Sequence, residues 1–328
     1  MIKAIRFHQT GGPEVLRWED VEVGAPGAGQ ARVRHTAVGL NFIDTYHRSG
    51  LYPLPLPSGL GVEAAGVVEE VGPGVVDLKA GDRVAYGGGA AGAAPGAYAE
   101  ARLIAADRLV KIPDGISDQQ AAAMMLKGMT AEYLIRRTFP VQPGQIVLFH
   151  AAAGGVGLIA GQWLKALGAI TIGTVGSDEK AALAKAHGYD HTIVYTRENF
   201  TERVLEITGG AKLPVVFDSV GKDTFMGSLD CLQPRGMLVV FGNGSGPVAS
   251  FDLGVLAQKG SLYVTRPTLL AYTASRADLV ASASALFDVV LSGKVRIEIN
   301  QTYPLAEVAQ AHRDLEGRKT TGSTVLVP

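Results

Sequence analysis

From Thr138 to Leu164 the chain carries no Asp, Glu, Lys or Arg. That is longer than the roughly 20 apolar residues that cross a bilayer as a helix. However, Pro140, Pro143 and Gly144 interrupt the run early, and Gly154, Gly155 and Gly157 interrupt it again. Breakers so placed divide it into a strand, a turn and a helix start. "QIVLFH" is an apolar β-type run and "AAAGGVG" is the turn. Val156, Ile159, Ala160, Trp163, Leu164 and Leu167 then recur at spacings of three and four. That periodicity is one helix face, and Gly168 fits its C-terminal stop. A glycine turn between strand and helix is the setting of a dinucleotide site. A pyrophosphate there meets unpaired N–H groups and the positive end of the helix dipole. Gly154 and Gly155 leave room for it beside Val156, and Gly157 lets the helix pack close to the strand. Ala152 stands where a G-x-G-x-x-G fingerprint has its first glycine. That is tolerable if the turn requires no positive φ there.

The rest of the chain bounds the surroundings of this turn. Its 328 residues suffice for two domains. With 47% hydrophobic and 19% charged residues it reads as globular. The net charge of −1 gives no broad footprint for nucleic acid or an anionic membrane, so neither is expected as a partner. Cys231 is the only cysteine, which forbids an intrachain disulfide and a Cys-rich zinc site. That usage fits a reducing compartment, the cytoplasm. The opening residues "MIKAIRFHQTGGPEV" show no apolar stretch of a secretory signal. His187 and His191 are four apart, but Gly188 between them argues against one helix presenting both to a metal.

Residues 1 to about 125 read as β-rich, with "ARVRHTAVGL", "GVVEEVG" and "DRVAYG" between Gly/Pro turns. Gly87 to Gly96 reads as a low-complexity surface loop. Ser117 and Gln120 form a capping-box pattern. Beyond 128 the strands "QIVLFH", "ITIGTV", "TIVY", "VVFDSV", "MLVVFG" and "SLYVT" alternate with helical stretches. That alternation predicts an α/β fold with a doubly wound parallel sheet. The last 60 residues are too few for a comfortable core of their own and are expected to rejoin the first domain.

The second strand of that series bears on the cofactor. An acid there would take the ribose 2′-OH of NAD. Instead "GTVGSDEK" places Gly176 and Ser177 at the tip, with Lys180 close by and Tyr195 ending the next strand. A small, hydrogen-bonding, cationic pocket favours a 2′-phosphate and hence NADPH. Asp178 and Glu179 argue the other way, and Lys180 also reads as a solvated helix charge.

Motifs across essentially the whole chain carry a resemblance. "GGPEVL", "GLNFIDTYHRSGLY", "GLGVEAAGVV", "AGDRVAY", "LKGMTAEYL", "FHAAAGGVG" and "GSLYVTRPTL" resemble the zeta-crystallin-like NADPH:quinone oxidoreductases. These are a branch of the medium-chain dehydrogenase/reductase superfamily. The resemblance implies a GroES-like β-rich catalytic domain from residues 1–127 and 267–328. It implies a Rossmann NADPH-binding domain from 128–266, a cofactor cleft between the two, and a homodimer in which "SLYVT" is an edge strand. Zinc-dependent members of the superfamily have a cysteine where this chain has Asn41, and of their Gly-His-Glu segment only Glu63 remains. The expectation is therefore zinc-independent hydride transfer from NADPH to a small quinone.

The same resemblance places "NFIDTYHRSGLY" at the active site. Asn41 is then a carbonyl donor or nicotinamide anchor beside Phe42. Tyr46 and Tyr52 are proton donors or stacking rings, although half-buried packing explains them equally well. Arg48 is a further donor in that segment, whereas Asp44 and His47 read as surface or structural. Lys127, Thr130, Val220, Phe241, Gly242, Asn243, Val264, Thr265, Arg266 and Arg318 complete the cofactor set, with Phe241 also readable as core and Arg318 as a surface charge. An enone or enal C=C reductase on the same fold is the nearest alternative. A non-enzymatic nucleotide- or RNA-binding crystallin-like protein is the alternative of another class.

Overall fold

The structure is a computed structural model that describes residues 1–88 and 95–328. The central residues 89–94 of the Gly87–Gly96 stretch lie outside the described residues. The chain divides into two compact units. One comprises Met1–Met129, Thr273–Leu291 and Ile297–Pro328, and the other Thr130–Tyr272 and Ser292–Arg296.

In the first unit the long strand Gln30–Leu40 pairs antiparallel with Glu63–Val71, Ala101–Ala105 and Ser323–Val327. Its Ala31, Val33, His35 and Ala37 alternate inward, the period of a strand with one buried face. Phe7, Val33, Leu60, Val68, Val84, Tyr86, Tyr98 and Leu326 share one apolar core. His35 is buried in this sheet. Its Nδ1 lies 2.7 Å from the Ala99 carbonyl, so Nδ1 donates and Nε2 accepts from the Tyr86 hydroxyl at 2.9 Å. Burial pushes its pKa down to about 4. Three helices carry polar residues of this unit's interior. Helix α1 spans Phe42–Ser49, α2 spans Asp118–Tyr133, and a helix over Val308–Glu316 precedes the last strand. Ser117 and Gln120 exchange reciprocal bonds of 3.0 and 3.1 Å before α2, completing the capping box.

The second unit holds six parallel strands. They are β1 (Ile146–Phe149), β2 (Ile170–Val175), β3 (His191–Val194), β4 (Leu213–Asp218), β5 (Leu232–Val240) and β6 (Tyr263–Thr265). Their order is β3-β2-β1-β4-β5-β6, the doubly wound Rossmann arrangement. Leu148, Ile172, Ile193, Val216 and Leu238 are wholly buried at its centre, which is why these strands read as continuous apolar runs. Helix α3 (Gly155–Ala166) follows β1, and α4 (Asp178–Ala186) follows β2. The uncharged run thus ends as strand, turn and helix, and no described helix is long and apolar enough to cross a membrane.

Candidate active site

The glycine turn leaves β1 at His150 and enters α3. The left-handed backbone falls on Ala151, with φ of 56°, and not on Ala152. A non-glycine residue there is uncommon and mildly strained, a feature that clusters at ligand sites. Gly157 is fixed by volume. A Cβ on it would lie 2.5 Å from the Ala151 carbonyl oxygen and 2.6 Å from that of Ala152. Gly154 is the N-cap of α3 and makes no side-chain capping bond, so the first N–H groups of Gly155, Val156 and Gly157 face the turn without one.

Below the turn lies a buried polar cluster that spacing in the sequence does not reveal. His150 meets Thr174 Oγ1 at 2.8 Å and Ser228 Oγ at 3.0 Å. Asp218 Oδ2 accepts from Thr224 at 2.7 Å and Ser228 at 3.3 Å. Its Oδ1 accepts from the N–H groups of Val220 and Gly221 at 2.8 and 3.0 Å. The ends of β1, β2 and β4 are thereby tied together, and the loop bearing Val220 is held. Burial lowers the His150 pKa, against the pull of Asp218.

At the end of β5, Phe241 donates its N–H to the Asp218 carbonyl at 2.8 Å, and its ring lies 5.6 Å from that of Phe149. Gly242 abuts the Ser219 carbonyl, where a Cβ would sit at 2.4 Å, and Asn243 follows. Val264 and Thr265 pair with Leu238 and Val239 at the sheet edge, and Arg266 donates to the Val240 carbonyl at 3.3 Å. Thr130 is buried in this unit. At the tip of β2, Ser177 caps α4 by accepting the Lys180 N–H at 3.3 Å. The Tyr195 hydroxyl lies 2.9 Å from where a Gly176 Cβ would stand. Gly176, Ser177, Lys180 and Tyr195 thus share one corner.

The first unit assembles a different cluster. Glu63 is fully buried. Its Oε2 accepts from Lys127 Nζ at 2.8 Å and Asn41 Nδ2 at 2.7 Å, and its Oε1 from the Leu126 N–H at 2.7 Å. Gly39 makes the space, since a Cβ there would fall 2.3 Å from both Glu63 Oε2 and the Ala122 carbonyl oxygen. Asn41 also donates to the Gly39 carbonyl at 3.3 Å, so its amide hydrogens have protein acceptors and Oδ1 is what it offers a ligand. Asn41 begins α1, where Asp44 accepts its backbone N–H at 2.9 Å. Phe42, Tyr46 and Tyr52 gather nearby. Tyr46 is 5.7 Å from Phe42 and meets Tyr52 edge-on at 5.2 Å between ring centroids.

Asp44, open to a surface or a structural reading, is fully buried, which favours the structural one. It accepts the Tyr98 hydroxyl at 2.7 Å, and burial raises its pKa to about 7 against the bonds from Tyr98 and Asn41. Arg48 is no quinone donor, because the fold consumes it. Its guanidinium, 3% exposed, holds Glu316 through two bonds of 2.7 and 3.0 Å, His312 Nδ1 at 2.9 Å and the Gly11 carbonyl at 3.0 Å. Arg48 can only donate, so His312 Nδ1 accepts, and Nε2 carries the proton facing the Tyr98 hydroxyl at 3.2 Å. Arg318 stands at the exposed turn after this helix, with φ of 57°.

The chain matches the alcohol dehydrogenase GroES-like domain over residues 27–114 and the zinc-binding dehydrogenase model over residues 155–278. It is 58% identical to a quinone oxidoreductase of Pseudomonas aeruginosa, over the whole of both chains. The chain belongs to the quinone oxidoreductase family. The Escherichia coli quinone oxidoreductase complexed with NADPH superposes with a TM-score of 0.97 at 51% identity, covering 99% of this chain and all of that one. A 2-haloacrylate reductase of a Burkholderia species is 48% identical over all of this chain and 99% of its own. Among the described residues no three His, Cys, Asp or Glu side chains are grouped to hold a metal.

Proposed function

We propose that this chain is an NADPH-dependent reductase of small quinones. The carrying observation is the glycine turn at the start of α3, in a chain alike from end to end to a quinone oxidoreductase complexed with NADPH. Bound NADPH supplies the hydride. The N–H groups of Gly155 and Val156 would hold the pyrophosphate at the helix dipole, and Ser177, Lys180 and Tyr195 the 2′-phosphate. Val220, Phe241, Gly242, Asn243, Thr130, Val264, Thr265, Arg266 and Arg318 would complete the cofactor contacts. Asn41 Oδ1 would accept from the nicotinamide carboxamide. Hydride addition to a quinone leaves charge on oxygen, and the Tyr46 and Tyr52 hydroxyls are the donors to stabilise and protonate it.

The reaction is proposed to be zinc-independent because the donor set is wrong for the metal. Glu63 already accepts from three hydrogen donors, one of them the Lys127 ammonium, whose positive charge stands where a cation would, and Asn41 offers a neutral amide where zinc requires an anionic or imidazole ligand. A homodimer in the cytoplasm fits the edge position of β6, the 57% exposure of Tyr263 and the lone buried Cys231. The likeness to a 2-haloacrylate reductase favours one alternative, reduction of a conjugated C=C bond. NADPH oxidation followed with 1,4-benzoquinone and with an alkenal separates them. Turnover of the quinone is expected, and turnover of the alkenal alone overturns the first reading.

A further inference from the structure

The acids beside the 2′-phosphate corner are unexplained by an NADPH site. In a Rossmann fold a carboxylate after the second strand accepts the ribose 2′-OH of NAD and repels a 2′-phosphate. Here Gly176 and Ser177 hold the tip of β2, and Asp178, the first residue of α4, brings a carboxylate next to Ser177. Both of its oxygens are taken by Arg197, with Nη1 to Oδ2 and Nη2 to Oδ1 each at 2.6 Å. This fork uses the planar geometry of guanidinium against carboxylate.

The pair closes a seam between the loops after β2 and β3. The Tyr195 N–H donates to the Val175 carbonyl at 3.1 Å and the Thr196 hydroxyl to the Gly176 carbonyl at 3.3 Å. Arg197 on Asp178 is the next step of the same seam. Side-chain exposures of 56% and 69% mean the pair adds little to stability. Arg197 holds the Asp178 carboxyl below its ordinary range, so the acid stays ionised and its charge must be answered. Glu179, the other acid here, is lowered by its bond to the Ser177 hydroxyl.

We infer that the Asp178–Arg197 pair sets the nucleotide preference, Arg197 cancelling a carboxylate beside Ser177 that would otherwise repel the 2′-phosphate. The inference rests on the NADPH reading above. Arg197 is thus a specificity residue acting through Asp178.

The test is a double-mutant cycle of Arg197→Ala, Asp178→Asn and their combination. Calorimetric binding of adenosine 2′,5′-bisphosphate against adenosine 5′-monophosphate reads the corner without the nicotinamide, and kcat/KM with NADPH against NADH runs in parallel. R197A is expected to lose about tenfold of the preference for the 2′-phosphate, the scale of one unanswered like charge. D178N is expected to keep that preference, and the double variant to regain what R197A lost. A double variant as weak as R197A, or an R197A with unchanged preference, overturns the inference alone. A wild-type chain that prefers the monophosphate and NADH overturns the NADPH reading as well, and shows itself before any variant is made.

Discussion

The glycine turn and the Glu63 cluster are built from opposite materials. At the turn the working groups are main-chain N–H groups, and the sequence contributes chiefly the side chains it omits. Gly157 is confined by two carbonyl oxygens within 2.6 Å. Around Glu63 the working groups are buried charges, each satisfied by a named partner. A site made of backbone is sensitive to volume. A site made of buried charge is sensitive to balance, because an ion without its partner in a low-dielectric interior is costly.

The largest expected effect tests the balance. Lys127→Met leaves the fully buried Glu63 without its cation, which costs about 3–5 kcal/mol for a buried pair broken on one side. Adding Glu63→Gln removes the stranded charge, and the double variant is expected to be more stable than K127M. Urea midpoints decide this, and a K127M midpoint equal to wild type breaks the comparison. The volume test comes next. Gly157→Ala is expected to destabilise by about 1–3 kcal/mol, the scale of overpacking. It should also weaken NADPH binding, measured by fluorescence titration, since relief of the clash displaces Ala151 and Ala152 in the turn.

These two regions were not equally legible in the sequence. All six parallel strands fall on apolar runs, because strands buried on both faces announce themselves by composition. The glycine turn was legible for the same local reason, yet its left-handed residue proved to be Ala151. Backbone conformation within a turn depends on where the strand ends, which spacing does not give. Glu63 and Lys127 each stand as a lone charge in an apolar run, a signal that they need partners. That they are each other's partner is a tertiary fact, created by Gly39 and the approach of α2. Asp44 and Arg48 sat in a segment read as catalytic, and no local pattern reveals that Tyr98, His312 and Glu316 take them up. Asp178 and Arg197 are 19 residues apart and exposed, so their pairing had no sequence signal.

The smallest expected effect lies in pH, and it sharpens the account of buried charge. Burial pushes His35 down to about 4, and burial with the nearby Arg48 pushes His312 down to about 3. Their unfolded forms therefore bind more protons below about pH 6.5, and stability is lost as pH falls through that window. Asp44 has the opposite sign. Its folded pKa is raised to about 7 by burial, so the folded state binds its proton first and this group favours folding increasingly as pH falls from about 7 to 4. Its surroundings include Tyr98, the Asn41 N–H, Glu63, Lys127, Arg48 and His312, none of which removes its burial. Burial also lowers His150 and His47, so the depressed histidines outweigh one carboxyl and the wild-type urea midpoint is expected to drop between about pH 7 and 4. His312→Gln should flatten that drop by removing one group that must protonate on unfolding. Asp44→Asn, which keeps an oxygen to accept from Asn41 and Tyr98, should steepen it by removing the one opposing group. An Asp44→Asn slope equal to wild type would mean that Asp44 binds its proton alike in both states, and that the hydrogen bonds it accepts fully offset its desolvation.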